Sequence, residues 1–158
     1  MVHDRSLHRT GYSRICKSIT SIGVTGVLPT AKEDAFEAIA SVMDQDYEGA
    51  VIYGIHSEGP FWARGGENTV GASWPSPNVE ETERLIEKAG GKMKVMAIAP
   101  ELPNAYDVIR CLHRHGIKVA CCHTAGHAQD IYDAAKKRLD LILLHILETE
   151  CGEFITET

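Results

Sequence analysis

The chain has 158 residues, of which 44% are hydrophobic and 24% charged, with a net charge of −6. That is long enough for one domain with a real core, and the composition is that of a soluble globular protein. The acidic balance argues against a nucleic-acid or anionic-membrane partner, which Lys and Arg would have to hold. No window approaches the roughly 18 continuous apolar residues that a membrane helix requires.

The stretch from Met1 to Arg14 carries His3, Asp4, Arg5, His8 and Arg9 with no apolar run behind them. No secretory signal is therefore expected, and the expected compartment is the cytoplasm. Ser13 to Ile22 has helical spacing and stops at Gly23, and Thr25 to Leu28 is a short β-rich run closed by Pro29 and Thr30. Lys32 to Met43 is amphipathic, with Phe36, Ile39, Ala40 and Met43 on one face. Ala50 to Ile55 is a continuous apolar run that ends in His56-Ser57-Glu58-Gly59-Pro60. A loop rich in Gly, Trp and Pro follows, from Phe61 to Asn78.

Asn78 is placed to cap a helix from Val79 to Ala89, and Gly90-Gly91 ends it. Lys94 to Ala99 reads as a strand closing at Pro100-Glu101, and Asn104 is placed to cap a helix that Gly116 terminates after His115. Ile117 to Cys122 is a strand ending at His123, His127 to Arg138 a helix, and Leu139 to Leu144 a strand ending at His145. Residues 146–158 are acidic and poorly patterned, and are expected to form an irregular tail. The five cysteines are odd in number and lack any Cys-x-x-Cys spacing, so reduced and mostly buried thiols are expected.

Alternating strands and helices with short connections are the signature of βαβ units and a parallel sheet. The strands lack polar alternation, so both faces should be buried. Either a doubly wound open sheet or a (β/α) barrel fits. The absence of a Gly-x-Gly-x-x-Gly turn weakens the dinucleotide-binding version of the former.

Protonatable side chains recur at the carboxyl ends of the strands: His56 and Glu58, Glu101, His123 and His145. In a parallel barrel those ends converge on one mouth, where the active site is built. Glu58, His123 and His145 together make a suitable ligand set for one divalent ion, Zn²⁺ first, with Fe, Mn or Co as alternatives. Each also has a plainer reading, because a lone strand-end His is more often a hydrogen-bonded structural residue and Glu58 could cap the following turn. His56, Glu101 and His127 are expected nearby in supporting roles. Glu101 is more readily a hydrogen-bonding residue of the strand end, and His127 a first-turn helix residue. His113 and His115 flank Arg114 at a helix C-terminus, where cations suit the dipole, and read as surface residues.

These residues resemble a known family. His56-Ser57-Glu58-Gly59-Pro60-Phe61 matches the His-x-Glu-Gly-Pro-Phe motif of the N-acetylglucosamine-6-phosphate deacetylases, metal-dependent amidohydrolases whose glutamate in this motif binds the metal. Gly23 to Thr30 resembles the family's second barrel strand, and Ala97-Ile98-Ala99-Pro100-Glu101 its Ala-Pro-Glu strand end. His123-Thr124 stands where the family has a ligand His followed by Ser or Thr, and His145 falls close to the second histidine ligand. The resemblance runs from about Ser13 to Leu147. It implies a partial (β/α) barrel of about strands 2 to 6, filling residues 1–158 as a single domain. It also implies hydrolysis of an N-acetyl or related amide of an amino sugar, with a small-molecule substrate as the partner. A partial barrel leaves apolar edges, so a homo-oligomer is expected.

Departures from the family pattern are as specific. Family members continue from the second ligand as His-Leu-Phe-Asn-Ala-Met, where this chain has His145-Ile146-Leu147-Glu148-Thr149-Glu150. The family's Lys-Gly-Ala-His stretch is replaced by Arg64-Gly65-Gly66-Glu67-Asn68. A different amide is therefore an open substrate. The family's aspartate general acid–base would lie beyond Thr158, so no catalytic residue is assigned here. A complete barrel takes about 250 residues. Two alternatives stand beside the hydrolase: a non-catalytic fragment or degenerate relative, and a metal-free barrel lyase or isomerase.

Overall fold

A computed structural model describes residues 5–65, 73–136 and 141–143; the side chains of 5–10, 135 and 141–143 are outside the description. Helix α1 (Arg5–Ile19) runs into a 3-10 turn, Thr20–Ile22, that ends at Gly23 in the left-handed conformation. Next come β1 (Gly26–Val27), β2 (Thr30–Ala31), a 3-10 turn at Glu33–Ala35 and α2 (Phe36–Met43). Then β3 (Val51–Ile52), β4 (Ile55–Ser57), α3 (Val79–Lys88), β5 (Met93–Ile98), α4 (Ala105–Arg114), β6 (Lys118–Cys121), α5 (Ala128–Lys136) and β7 (Leu141–Leu143) follow.

Every strand pairing among these residues is parallel. One sheet has the order β2-β4-β5-β6-β7, and β1 pairs with β3 beside it. Strands that neighbour one another in chain order form the wall of a (β/α) barrel, whereas a doubly wound sheet reverses direction at a switch point. The architecture is therefore α/β and of the parallel-barrel type, present as part of a barrel.

The sheet is buried on both faces, with Val95 to Ile98 and Val119 to Cys121 all inaccessible. On the helix side, Met96, Ile98 and Val119 join Phe36, Ile39, Ile55, Leu85, Ile109 and Leu112 in the main core. On the opposite side, Val95, Ala97, Ala120 and Cys122 form a smaller cluster of smaller side chains. Each large apolar side chain buried this fully contributes roughly 1.5–3 kcal/mol, which makes the helix-facing layer the main source of stability.

Helix α3 shows how local chemistry sets an element. The Asn78 side chain accepts the Glu81 N–H at 3.1 Å, and the Thr82 hydroxyl donates to the Asn78 carbonyl at 2.7 Å. Glu80 and Glu81 lie in the first turn and Lys88 in the last, which complements the helix dipole. Asn104 does not act this way. It precedes α4 in a left-handed conformation (φ 66°), makes no side-chain cap, and offers only its carbonyl to Asp107 and Val108.

The run expected as one strand from Ala50 is divided in two, and β2 adds a strand at Thr30–Ala31, where the run from Thr25 was expected to have closed. Pro29, with no N–H, separates β1 from β2, and Tyr53-Gly54 separates β3 from β4. The first helix also begins eight residues earlier than its spacing predicts, at Arg5 rather than Ser13. No helix among the described residues is long and apolar enough to cross a membrane. The cysteines described, Cys16, Cys111, Cys121 and Cys122, are free thiols and buried.

Candidate metal centre at the strand ends

Register decides which strand-end side chains meet. Between β4 and β5 the pairing shifts by one residue, so Ile55 lies opposite Met93 but His56 opposite Val95. His56 therefore shares the face of Val95 and Ala97, away from the helices. Thr30 of β2 pairs with His56 on the other side, and its hydroxyl lies 3.0 Å from His56 Nδ1. Glu58, two residues on from His56, carries the same direction past the end of β4, and its N–H is held by the Ala31 carbonyl at 2.9 Å.

His123 reaches the same place by a different device. Strict alternation from Ala120 and Cys122 would send it to the helix side. It instead adopts φ 52°, a left-handed conformation that a non-glycine residue holds at a cost of about 1–3 kcal/mol. The turn sets its Nε2 3.6 Å from Glu58 Oε1. It also presents the His123 carbonyl to the N–H groups of Ala63 and Arg64, at 3.0 and 2.9 Å. The loop that follows Glu58 is thus bonded through main chain to the tip of β6.

The spacing suits a shared ion. Two ligand atoms each about 2.0–2.1 Å from a tetrahedral Zn²⁺ lie about 3.4 Å apart. Two imidazole nitrogens here, His56 Nε2 and His123 Nδ1, are buried with no hydrogen-bond partner among the described residues. Leaving a buried polar atom unsatisfied costs about 1–3 kcal/mol, so such atoms call for a ligand or a functional explanation. Burial lowers the pKa of His56 and favours its neutral ring, against the opposing pull of the Glu58 carboxylate. Among the described residues, Glu58 and His123 are spaced as two donors to one divalent ion would be.

Glu101, at the end of β5, is engaged elsewhere. Its carboxylate accepts from the Thr124 hydroxyl at 2.8 Å and from the N–H groups of Ala125 and Gly126 at 2.6 and 3.0 Å. It therefore braces the loop that leaves His123. His127 is exposed at the start of α5, and its main-chain N–H donates to Asp130 Oδ2 at 2.7 Å, a helix-start contact. His145 lies outside the described residues. Burial pushes the thiols of Cys121 and Cys122 up to about 11 and about 12, so both are protonated at neutral pH.

Trp62, Trp74 and Lys32 also form part of this mouth, and strand-end reasoning does not find them. Trp62 stacks on His123 with ring centroids 4.1 Å apart, and Trp74 lies 5.6 Å from Trp62. Lys32 Nζ stands 5.5 Å from the Trp62 ring centroid. With Glu58 and Leu85 these three line a cavity of about 340 Å³, within the roughly 300–1,000 Å³ of small-molecule sites. The available signal was the position of Trp62, four residues after Glu58 on the same loop.

No family model matches the sequence. The N-acetylglucosamine-6-phosphate deacetylase of Vibrio furnissii is 31% identical over 120 residues, covering 75% of this chain and 29% of that protein. The deacetylase of the same name from Bacillus subtilis is 34% identical over 89 residues, covering 56% of this chain and 22% of that protein. Among solved structures, a variant of N-acetyl-D-glucosamine-6-phosphate deacetylase from Mycobacterium smegmatis, in complex with N-acetyl-D-glucosamine-6-phosphate, superposes with a TM-score of 0.58 at 21% identity. That match covers 84% of this chain and 33% of the solved one and bears on the fold. The parallel strand order, the Glu58 motif at the end of β4 and the sequence matches agree: over its matched part the chain is similar to the N-acetylglucosamine-6-phosphate deacetylases, as a divergent or truncated member would be, and it spans a third or less of the length of the relatives it matches.

Proposed function

We propose that this chain supplies the metal-holding and substrate-holding part of an amidohydrolase that cleaves an N-acetyl or related amide of an amino sugar. Glu58 and His123, with His145, would hold one divalent ion, zinc being the first candidate. The carrying observation is the approach of Glu58 Oε1 to His123 Nε2 at 3.6 Å, from the ends of two strands that flank β5. When bound, such an ion makes water nucleophilic near neutral pH and polarises a carbonyl oxygen.

The chain's own residues account for the rest of the proposed site. Glu58 contributes negative charge from a main chain fixed to Ala31. Stacked Trp62 restricts the His123 ring to one plane. Trp62 and Trp74 offer aromatic walls suited to the apolar face of a sugar ring, and Lys32 a cation for an anionic substituent. Glu101 keeps the loop after His123 in place and is not assigned proton transfer, since three hydrogen bonds already engage its carboxylate. The proton-transfer group is assigned to no residue of this chain.

The experiment is metal analysis of the purified chain alongside Glu58→Ala, His123→Ala and His145→Ala. Each variant is expected to hold one metal equivalent less than the parent. Full metal retention in Glu58→Ala would overturn the assignment. A chain that holds metal but has no affinity for an N-acetyl amino sugar would leave metal binding standing and refute the substrate-holding part.

A further inference from the structure

A second group of metal-ligating side chains lies away from the mouth, on the helix side of the sheet. Cys111 and His115 stand four residues apart at the end of α4, so they share one helical face. Glu83 of α3 projects between them. Its Oε1 accepts from Cys111 Sγ at 3.1 Å and its Oε2 lies 2.7 Å from His115 Nε2. One ligand atom from each of the three falls within 4.8 Å of the others.

We propose that Glu83, Cys111 and His115 form a second metal site, for Zn²⁺ or an ion of similar softness, that clips α3 to α4. One sulfur, one nitrogen and one oxygen donor make a mixed set favoured by borderline-soft ions over Mg²⁺ or Ca²⁺. Three protein ligands leave at least one position open, and the site borders a cavity of about 490 Å³ lined also by Glu80 and Glu87. Those carboxylates add negative potential, against the guanidinium of Arg84, which lines the same cavity, and that of Arg114, whose charge acts on Cys111.

In the metal-free chain, burial and the Glu83 carboxylate push the Cys111 thiol up to about 11. Binding therefore forms a sulfur–metal bond and releases the thiol proton to solvent. His115 and Glu83 are partly exposed, with side-chain accessibilities of 39% and 43%, so an ion can reach them without opening the core. This proposal does not depend on the reading of the mouth, because none of its three residues belongs there.

The probe is Cd²⁺, whose thiolate complexes absorb in the near ultraviolet by sulfur-to-metal charge transfer. Titrations would compare the parent chain, Cys111→Ser, His115→Ala and a Glu58→Ala/His123→Ala double variant. The double variant should develop the band at one equivalent and the parent once both of its sites are filled, and added Zn²⁺ should abolish it. Cys111→Ser should lack the band, and His115→Ala, a surface change that leaves folding intact, should weaken binding about tenfold or more. No band in the parent, or a band of undiminished strength in Cys111→Ser, would overturn the proposal. So would unchanged affinity in His115→Ala, which would leave the trio as a hydrogen-bonded network without metal affinity.

Discussion

Trp62 lies nearly flat against His123, with ring centroids 4.1 Å apart and planes inclined by 28°. A ligating imidazole has two freedoms to lose, rotation about χ1 and about χ2, and a stacked indole restricts both. Trp62→Ala is therefore expected to weaken metal binding at the mouth by about tenfold, the low end of losses seen when groups orienting a ligand are removed. Trp62→Phe should recover most of it. Calorimetric titration with Zn²⁺ measures both, and equal affinities for parent and Trp62→Ala would refute this orienting role.

Gly59 sets where that indole can lie. Its φ of 84° is left-handed, and a Cβ there would come within 2.3 Å of Trp62 Nε1. Gly59→Ala should lose roughly 1–2 kcal/mol from the backbone conformation alone. It should also move the indole off His123, so that stability and metal affinity fall together. Denaturant unfolding and the same titration test this, and an unchanged unfolding midpoint would contradict it.

Glu101 ties the tip of β5 to the loop after β6 through Thr124, Ala125 and Gly126. Glu101→Ala leaves the Thr124 hydroxyl and the Gly126 N–H without this acceptor, and a loss of about 1–3 kcal/mol is expected. Glu101→Gln, which keeps one carbonyl oxygen, should lose less. Amide hydrogen exchange at Ala125 and Gly126 should accelerate in the alanine variant while β5 itself stays protected.

Acid should loosen the contact between α3 and the Glu33–Ala35 turn. The Glu33 carboxyl accepts from Arg84 at 2.8 and 2.9 Å and from Lys88 at 2.7 Å, which lowers its pKa from 4.5 to about 2. A carboxyl held lower in the folded state stabilises fully above its unfolded pKa and loses that contribution as pH falls through its folded value. The stability gap between the parent and Glu33→Gln should thus be constant above pH 5 or so, shrink below about 4.5, and vanish near 2. The groups are about half exposed, so the gap should be small and salt-sensitive. A gap that does not vary between neutral pH and pH 2 would refute the coupling.

Much of this architecture was legible because apolar runs, turn residues and a strand-end motif agreed with one another. Asn78 capped α3 where the sequence placed it, and Glu58 and His123 met across the end of β5. The short strand pieces were less legible, since only Gly54 breaks the apolar run from Ala50, β2 follows the Pro29 that closes the run before it, and both depend on pairing with neighbours distant in sequence. Asn104 misled for a local reason, because asparagine serves equally as a side-chain cap and as a left-handed residue. Trp62 and the Glu83–Cys111–His115 group were hidden because they are defined by tertiary approach, the latter between two helices separated by a strand.

The carbonyl of His123, shared by the N–H groups of Ala63 and Arg64, has a consequence for how such a protein can change. Main-chain bonds are indifferent to which side chains hang from residues 63 and 64. Substitutions there can change the side chains that this loop carries while the main chain that ties it to the imidazole-bearing turn stays anchored. Loop chemistry and the anchoring of the β6 tip are thereby uncoupled, and one can drift across generations while the other holds still.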